Sequence, residues 1–192
     1  MFIVFEGIDG VGKSSHIRGV ANFLLERGIQ HICTSEFGNL PLGKSVRNLM
    51  MNYDMTGEEE ILLINLIRSY HIRNVLIPSI QANHWILMDR FIESTWAYQH
   101  GGKQVPYNIV KKLTDSIKIP KPDLTILLDG DNHRSVAKDK FDKESKDFFN
   151  RVKAVYKDRF DQENWITYNT NIGYKAVQSM IREYLAENIL CC

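Results

Sequence analysis

The strongest constraint on this chain is one glycine-rich octapeptide near its amino terminus, GIDGVGKS at positions 7–14. It matches the pattern G-x-x-x-x-G-K-[ST] at every fixed position, and it lies between an apolar run at 2–5 and a helical pattern at 14–27. In that context the glycines let backbone N–H groups turn around a phosphate, and the helix amino terminus adds partial positive charge. The sequence therefore predicts a nucleoside triphosphate site on a strand–loop–helix unit.

The residues of this loop have different expected roles. We expect Lys13 to reach the β- and γ-phosphates and Ser14 to offer its hydroxyl to Mg²⁺. The expected ATP-binding set is Gly7, Ile8, Asp9, Gly10, Val11, Gly12, Lys13, Ser14 and Ser15. A GTPase would also need D-x-x-G after its third strand and N-K-x-D near the base. Here Asp89 is followed three positions later by Ile92, and N-K-x-D is absent, so the sequence argues against a GTPase.

Composition and cysteine content exclude several other classes. Lys and Arg total 24 against 23 for Asp and Glu, which is not the basic excess that a nucleic-acid-binding surface needs. The terminal pair Cys191 and Cys192 raises the alternative of a lipid-anchored GTPase, but the interior motifs of that class are missing. With Cys33 as the third cysteine, neither a disulfide framework nor a zinc site is expected. We therefore expect a cytoplasmic protein with no membrane partner.

Strand-like and helix-like patterns alternate along the whole chain. The predicted strands are 2–5, 29–34, 85–88, 124–128 and 165–168, and the predicted helices are 14–27, 42–52, 58–81, 107–117, 145–160 and 174–187. This order predicts an α/β fold, a doubly wound five-stranded parallel sheet flanked by helices, in one domain spanning 1–192. The predicted helix 58–81 is apolar almost all round, so we expect it to be buried on more than one side, in the core or against a second subunit.

A second motif, DRFIESTWAYQHGGK at 89–103, follows the third predicted strand. It resembles the D-R-Y…S-x-A-Y-Q-G-G-G-R stretch of thymidylate kinases. The segments FEGIDGVGKSS, PLGKSVRNLM, LLINLIRSYH and KPDLTILLD are similar to further family segments in the same order. The resemblance extends to about position 160 and implies a P-loop NTPase fold of the nucleoside monophosphate kinase type. It also implies transfer of the γ-phosphoryl group of ATP to dTMP, with Mg²⁺, by a protein that is usually a homodimer.

The same resemblance implies roles for individual residues. Arg90 is expected to bind the dTMP phosphate, for which a guanidinium offers paired hydrogen bonds, and Asp89 to organise Mg²⁺. Asp9 is expected to meet the dTMP 3′-hydroxyl and a magnesium-bound water. Arg68 is expected to donate to thymine, and Tyr98 to pack beneath the deoxyribose. The other expected dTMP contacts are Glu36, Ile64, Thr95 and Gln99.

The chain also departs from the family pattern. Positions 34–40 read TSEFGNL where the family has T-R-E-P-G-G-T, and Ile64 replaces an aromatic residue that stacks on thymine. The expected lid, about 130–142, is several residues short. Members without an arginine in the phosphate loop supply catalytic arginines from this lid, whereas here the expected catalytic cations are Arg134 and Lys138. The remaining nearby arginine is Arg151, and positions 169–171 read NTN in place of an adenine-contacting D-A segment.

Two alternatives to a dTMP kinase stay open at this point. One is a nucleotide-binding regulator of the same fold with weak turnover, and the other is a kinase of another nucleoside monophosphate. The retained magnesium and phosphate groups favour catalysis, because drift to a pure binder should erode them first. Those groups are Asp9, Lys13, Ser14, Asp89 and Arg90.

Overall fold

The computed structural model describes residues 1–38, 40–132, 144–159 and 164–190. The strands are β1 (Phe2–Glu6), β2 (His31–Ser35), β3 (Trp85–Asp89), β4 (Leu124–Asp129) and β5 (Trp165–Asn169). The α-helices are α1 (Lys13–Leu25), α2 (Pro41–Asn52), α3 (Gly57–His71), α4 (Ile77–Gln81), α5 (Ile92–Thr95), α6 (Tyr107–Thr114), α7 (Lys146–Arg159) and α8 (Tyr174–Leu185). The sequence-predicted residues Arg134, Lys138, Cys191 and Cys192 lie outside the described residues.

The five strands form one parallel sheet in the order β2-β3-β1-β4-β5, which confirms the predicted fold class. β1 lies at the centre and is buried along its whole length. From β1 the chain builds one half of the sheet through β2 and β3 and the other through β4 and β5. Ligands of such sheets bind at the carboxyl ends of the strands, where the strand order reverses. The loop after β1 stands at that point.

Both faces of the sheet are covered, as a strand that is apolar on both faces requires. On one face, Ile3 and Phe5 belong to a core cluster shared with α1 and α8. On the other face, Phe2 and Val4 pack with Leu76 in the helical segment that follows α3. None of the helices in the described part of the chain is long and apolar enough to cross a membrane.

The predicted helix at 58–81 is instead α3, a wider π-helical turn at Ile72–Leu76, and α4. Pro78 explains the break, because proline has no N–H and its ring collides with the carbonyl four residues earlier in a regular α-helix. The wider turn relieves this, and the N–H of Ile77 bonds to the carbonyl of Ile72. Leu62 and Leu66 are 56% and 52% exposed on the outer face of α3, so the core of a single chain does not cover this face.

Sequence patterns assigned no helix to the 89–103 motif, yet α5 continues as a π-helical segment, Trp96–Gly102. α7 packs across this segment, and a Cβ atom on Gly102 would stand 2.4 Å from the ring of Phe148. The glycine is therefore needed for close approach. Tyr98 and Gln99 lie three and four positions after Thr95, so the helix presents all three side chains on one face.

Candidate active site

A cavity of about 530 Å³, called here the central cavity, lies at the carboxyl ends of β1, β2 and β3. It has the size of an ordinary small-molecule site. The sequence-predicted residues that line it are Asp9, Gly10, Gly12, Lys13, Ser14, Ser15, Glu36, Ile64, Arg68, Asp89, Arg90, Thr95, Tyr98 and Gln99. The structure therefore brings the predicted acceptor residues and most of the predicted phosphate loop to one place.

A second cavity of about 650 Å³, the side cavity, lies on the other side of the phosphate loop. Gly10, Gly12 and Ser15 line both cavities, so the loop forms the wall between them. Val11 and Thr170 line the side cavity, so the 169–171 segment, which stands in place of the adenine-contacting D-A segment, lies beside the phosphate loop. The side cavity also contains Tyr174, whose ring lies 4.8 Å from that of His16.

The phosphate loop depends on glycine at Gly7, where φ is +137° and a Cβ atom would stand 2.4 Å from the carbonyl oxygen of Leu128. The loop folds around the side chain of Lys13, whose Nζ donates to the carbonyl oxygens of Gly7 at 3.1 Å and Ile8 at 2.8 Å. Burial and the nearby Arg90 lower the pKa of Lys13 to about 8. A bound phosphate would give this desolvated ammonium an anionic partner in place of neutral carbonyl oxygens.

Ser14 and Asp89 meet at the edge of the central cavity. Ser14 is in the first turn of α1, and Asp89 ends β3. The Oγ of Ser14 donates to Oδ2 of Asp89 at 2.9 Å. β3 lies between β1 and β2, which brings the end of β3 beside the phosphate loop. A hydroxyl and a carboxylate are oxygen donors of the kind that Mg²⁺ takes together with waters and substrate phosphates. The donor set therefore fits a magnesium site.

Arg90 is the centre of a polar network at the same edge. Its Nη2 lies 3.0 Å from Oδ1 of Asp9 and donates to the hydroxyl of Tyr98 at 3.0 Å, and that hydroxyl donates to Asp9 at 2.9 Å. Burial would raise the pKa of Asp9, but the charges of Arg90 and Lys13 outweigh it and hold that pKa well below its usual range. Arg90 has a φ of +65°, an unfavourable conformation for a residue with a Cβ atom.

Sequence reasoning missed Glu6, which contacts Arg90 through the hydroxyls of Ser94 and Tyr156. Glu6 is fully buried and accepts from the N–H of Phe91 at 2.7 Å, the hydroxyl of Ser94 at 2.6 Å and the hydroxyl of Tyr156 at 3.0 Å. Nη1 of Arg90 in turn donates to the Ser94 and Tyr156 hydroxyls, at 3.1 and 3.3 Å. Burial raises the pKa of Glu6 to about 7. The only available signal was an acidic residue inside an apolar strand.

The far end of the central cavity is built around Arg68, which is fully buried. Its Nε and Nη2 form a paired interaction with the two carboxylate oxygens of Glu36, and its Nη2 also donates to Oγ1 of Thr95 at 2.9 Å. Burial raises the pKa of Glu36, and the charge of Arg68 opposes this. Thus Arg68 and Thr95, predicted to contact the base, lie together with Glu36, predicted as a further dTMP contact.

The apolar wall at this end contains Ile64, as predicted, together with Phe37 and Met50, which were not predicted as site residues. Phe37 follows β2, and its ring packs against the same cluster as Ile64. Arg47 on α2 also lines the cavity and was not predicted. The periodic pattern of α2 gave no reason to choose it over other exposed cations.

The possible lid arginine Arg151 does not face the phosphate loop. It donates from Nε to the carbonyl of Gly101 at 3.1 Å and from Nη2 to that of Gly102 at 2.8 Å, so it closes the carboxyl end of the π-helical segment. Lysines on α7 instead reach the end of β4: Lys157 lies 3.7 Å from Asp129, and Lys153 lies 3.6 Å from Asp131.

Comparisons with known proteins agree with this geometry. A family model described as thymidylate kinase matches residues 5–181. The thymidylate kinase of Methylobacillus flagellatus is 39% identical over 163 residues, which are 81% of this chain and 80% of that protein. The thymidylate kinase of Neisseria meningitidis is 32% identical across 99% of this chain and 98% of its own length. A crystal structure of thymidylate kinase from Ehrlichia chaffeensis has a TM-score of 0.80 at 27% identity, over 96% of this chain and 98% of that one.

Proposed function

This chain belongs to the thymidylate kinase family, and we propose that its two cavities divide the substrates, with dTMP in the central cavity and ATP on the phosphate loop and side cavity. The protein is a phosphotransferase that uses ATP to convert dTMP to dTDP. The observation that carries the division is the shared wall: Gly10, Gly12 and Ser15 line both cavities. A γ-phosphate held by this wall would face an acceptor on its other side.

Phosphoryl transfer at this site requires positioning and charge neutralisation, because the accepting oxygen belongs to a phosphate and needs no general base. Arg90 binds the dTMP phosphate through its two terminal nitrogens, whose four hydrogens face Asp9, Tyr98, Ser94 and Tyr156, so that phosphate oxygens replace one of these acceptors on each nitrogen. Asp9 remains ionised and accepts from the 3′-hydroxyl of the sugar. Tyr98, held by Asp9 and Arg90, packs beneath the deoxyribose.

Mg²⁺ belongs to this proposal as the ion that neutralises phosphate charge when it is bound. Ser14 and Asp89 would hold it, since their oxygens already lie 2.9 Å apart at the edge of the central cavity. Asp9 would act on it through water, because its carboxylate is engaged by Arg90 and Tyr98. Lys13 supplies a fixed positive charge beside the β- and γ-phosphates.

The thymine base lies in the far end of the central cavity. Arg68 donates to it, with Thr95 beside it and Glu36 holding the guanidinium. Ile64 lacks an aromatic face, and Phe37 in the same apolar cluster supplies a ring at this end of the cavity. In the side cavity, Tyr174 offers the corresponding aromatic surface to adenine.

The cations Arg134 and Lys138 remain the proposed source of positive charge over the transferred phosphoryl group. They fall outside the described residues, and the proposal rests on their place in the sequence between Asp129 and Asp139. The geometry of Arg151 supports this choice by exclusion, because that arginine binds two backbone carbonyls of the π-helical segment.

We also propose that the protein is a cytoplasmic homodimer. Exposed apolar side chains lie on the two helices that pack beside each other, with Leu49 on α2, Tyr53 directly after it, and Leu62 and Leu66 on α3. Such a patch is typical of a surface that another protein covers. Sedimentation at micromolar concentration should show a dimer, and a Leu62→Glu/Leu66→Glu variant should sediment as a monomer; a monomeric parent protein would contradict the proposal.

A substrate panel tests the division of the two cavities. ADP release is measured from MgATP with dTMP, dUMP, dCMP, GMP and AMP offered separately, for the parent protein and for Lys13→Ala. We expect turnover to be greatest with dTMP and to be lost in Lys13→Ala with the fold retained, because the buried ammonium faces the transferred group. Unchanged turnover in Lys13→Ala would contradict the proposed ATP position.

A further inference from the structure

Glu60 on α3 is fully buried and stands directly behind the wall of the central cavity. Gln99, which lines the cavity, donates from its Nε2 to Oε2 of Glu60 at 3.0 Å. Lys103 donates to the other oxygen, Oε1, at 2.9 Å, and also to the carbonyl of Met55 at 2.7 Å. Burying a carboxylate costs desolvation free energy unless the charge is paired and hydrogen-bonded, and here Gln99 and Lys103 bind it.

The partners of Glu60 decide which way the amide of Gln99 is turned. A carboxylate paired with an ammonium can only accept hydrogen bonds, so Gln99 must present its NH₂ group to Glu60. The amide oxygen of Gln99 then points away from Glu60. Within the described part of the chain that oxygen accepts no hydrogen bond, although the Gln99 side chain is only 2% exposed. The amide oxygen of Gln99 is therefore available to accept a hydrogen bond from a ligand in the central cavity.

Arg68 supplies the complementary donor. Its Nε and Nη2 hydrogens are taken by Glu36 and Thr95, whereas Nη1 carries two hydrogens and makes one long contact, 3.4 Å, to Asn65. One N–H of Nη1 thus has no acceptor among the described residues. Arg68 and Gln99 both line the central cavity, and a donor with an acceptor on one wall matches the 4-oxo group and N3–H of thymine and uracil. Cytosine presents the reverse pattern, with an amino group at C4 and an acceptor at N3.

We propose that Glu60 is a positioning residue for base selection. It holds the amide of Gln99 with the oxygen toward the cavity, so that the site accepts the N3–H of thymine or uracil and rejects cytosine. This inference rests on the assignment of dTMP to the central cavity. Without Glu60, the amide of Gln99 could turn over and offer its NH₂ group to N3 of cytosine, because the two orientations fill nearly the same volume.

The test compares kcat/KM for dTMP, dUMP and dCMP in the parent protein, Glu60→Gln, Gln99→Leu and the double variant. Glu60→Gln should lower kcat/KM about tenfold for dTMP and dUMP alike, since one hydrogen bond is lost with both bases. The dTMP:dCMP ratio should therefore fall at least about tenfold, while the dTMP:dUMP ratio stays unchanged. A merely structural role would lower all three substrates together.

The double variant shows whether Glu60 acts through Gln99. In the Gln99→Leu background, Glu60→Gln should change the dTMP:dCMP ratio no further, because the amide that it orients is gone. Glu60→Gln leaves Lys103 facing a neutral amide, so a Glu60→Gln/Lys103→Met variant repeats the comparison with charge balanced, and the same ratios are expected. An unchanged dTMP:dCMP ratio in the Glu60 variants, or an equal change in both backgrounds, would overturn the proposal.

A different result would refute the placement of dTMP in the central cavity. If Gln99→Leu itself leaves the dTMP:dCMP ratio unchanged, the base does not lie against Gln99, and the position of dTMP in the central cavity is wrong. If Gln99→Leu changes the ratio and Glu60→Gln does not, the dTMP position stands and the role of Glu60 alone is refuted.

Discussion

Replacing Arg90 with lysine tests whether two fixed nitrogens, rather than one positive charge, hold the dTMP phosphate. Nη2 of Arg90 contacts Asp9 and Tyr98, both at 3.0 Å, while Nη1 contacts Ser94 at 3.1 Å and Tyr156 at 3.3 Å. The two nitrogens are thus held separately, and a bound phosphate replaces one acceptor on each of them. A lysine has a single terminal nitrogen and cannot occupy both positions.

The expected loss follows from the number of bonds. A hydrogen bond to a charged group contributes about 1.5–3 kcal/mol, and lysine loses one of the paired bonds as well as the alignment of the other. We therefore expect Arg90→Lys to raise the free energy of the transition state by about 2–4 kcal/mol. This corresponds to a loss of about 30- to 1,000-fold in kcat/KM for dTMP.

The assay is ADP release with dTMP varied at saturating ATP, and then with ATP varied at saturating dTMP. Arg90→Lys should change kcat/KM for dTMP by the stated factor and KM for ATP by less than about threefold. Arg159→Lys is the matched control, because Arg159 pairs with Glu93 and stacks over Trp96 outside the lining of the central cavity. Activity of Arg90→Lys within threefold of the parent protein, or a loss confined to ATP, would refute the reasoning.

Three further substitutions test other parts of the structure. Phe37→Leu should raise KM for dTMP about 2- to 10-fold and leave KM for ATP unchanged, because an aromatic face adds about 0.5–1.5 kcal/mol; a normal KM for dTMP would place the base elsewhere. Tyr174→Ala should raise KM for ATP more than KM for dTMP, and the opposite order would contradict its place in the side cavity. His71 donates or accepts a 2.7 Å hydrogen bond with Thr34, and burial lowers its pKa from 6.5 to about 4. The unfolded chain therefore binds more protons between these pH values, so about 3 kcal/mol of stability is present above pH 6.5 and is lost as the pH falls toward 4. Urea unfolding of His71→Gln should show a shallower pH dependence, and an unchanged slope would rule out this titration.

Most of the fold could be predicted because its elements follow local patterns. Buried strands read as short apolar runs, and Gly28, with a φ of +68°, ends the first helical pattern as expected. The errors lie where neighbours override such patterns. Pro78 divides the long helix into α and π segments, and the π-helical segment Trp96–Gly102 is held by α7 packing and by Arg151, some 50 residues away.

The candidate site divides in the same way. The phosphate loop and Arg90 belong to contiguous motifs, so sequence alone identifies them. Phe37 could not be selected, because a single aromatic residue in a loop has no periodicity, and Glu60 could not be distinguished from a surface carboxylate. Glu6 differed only as an acidic residue at the end of an apolar strand. The roles of these two carboxylates depend on the side chains that cover them. Ser94 on α5 and Tyr156 on α7 bind Glu6, and Gln99 and Lys103 bind Glu60.

The sequence by itself determined the strand–loop–helix unit at 2–25, since a run of glycines that must adopt left-handed backbone angles and a buried lysine are specified by consecutive residues. The tertiary structure alone decided how the acceptor end is built. Arg68 meets Glu36, 32 positions earlier, and Thr95, 27 positions later, and Gln99 meets Glu60 across 39 positions. Such contacts form only when separate helices pack on the sheet, because burial makes each charged group find the partner that the fold brings within hydrogen-bond distance.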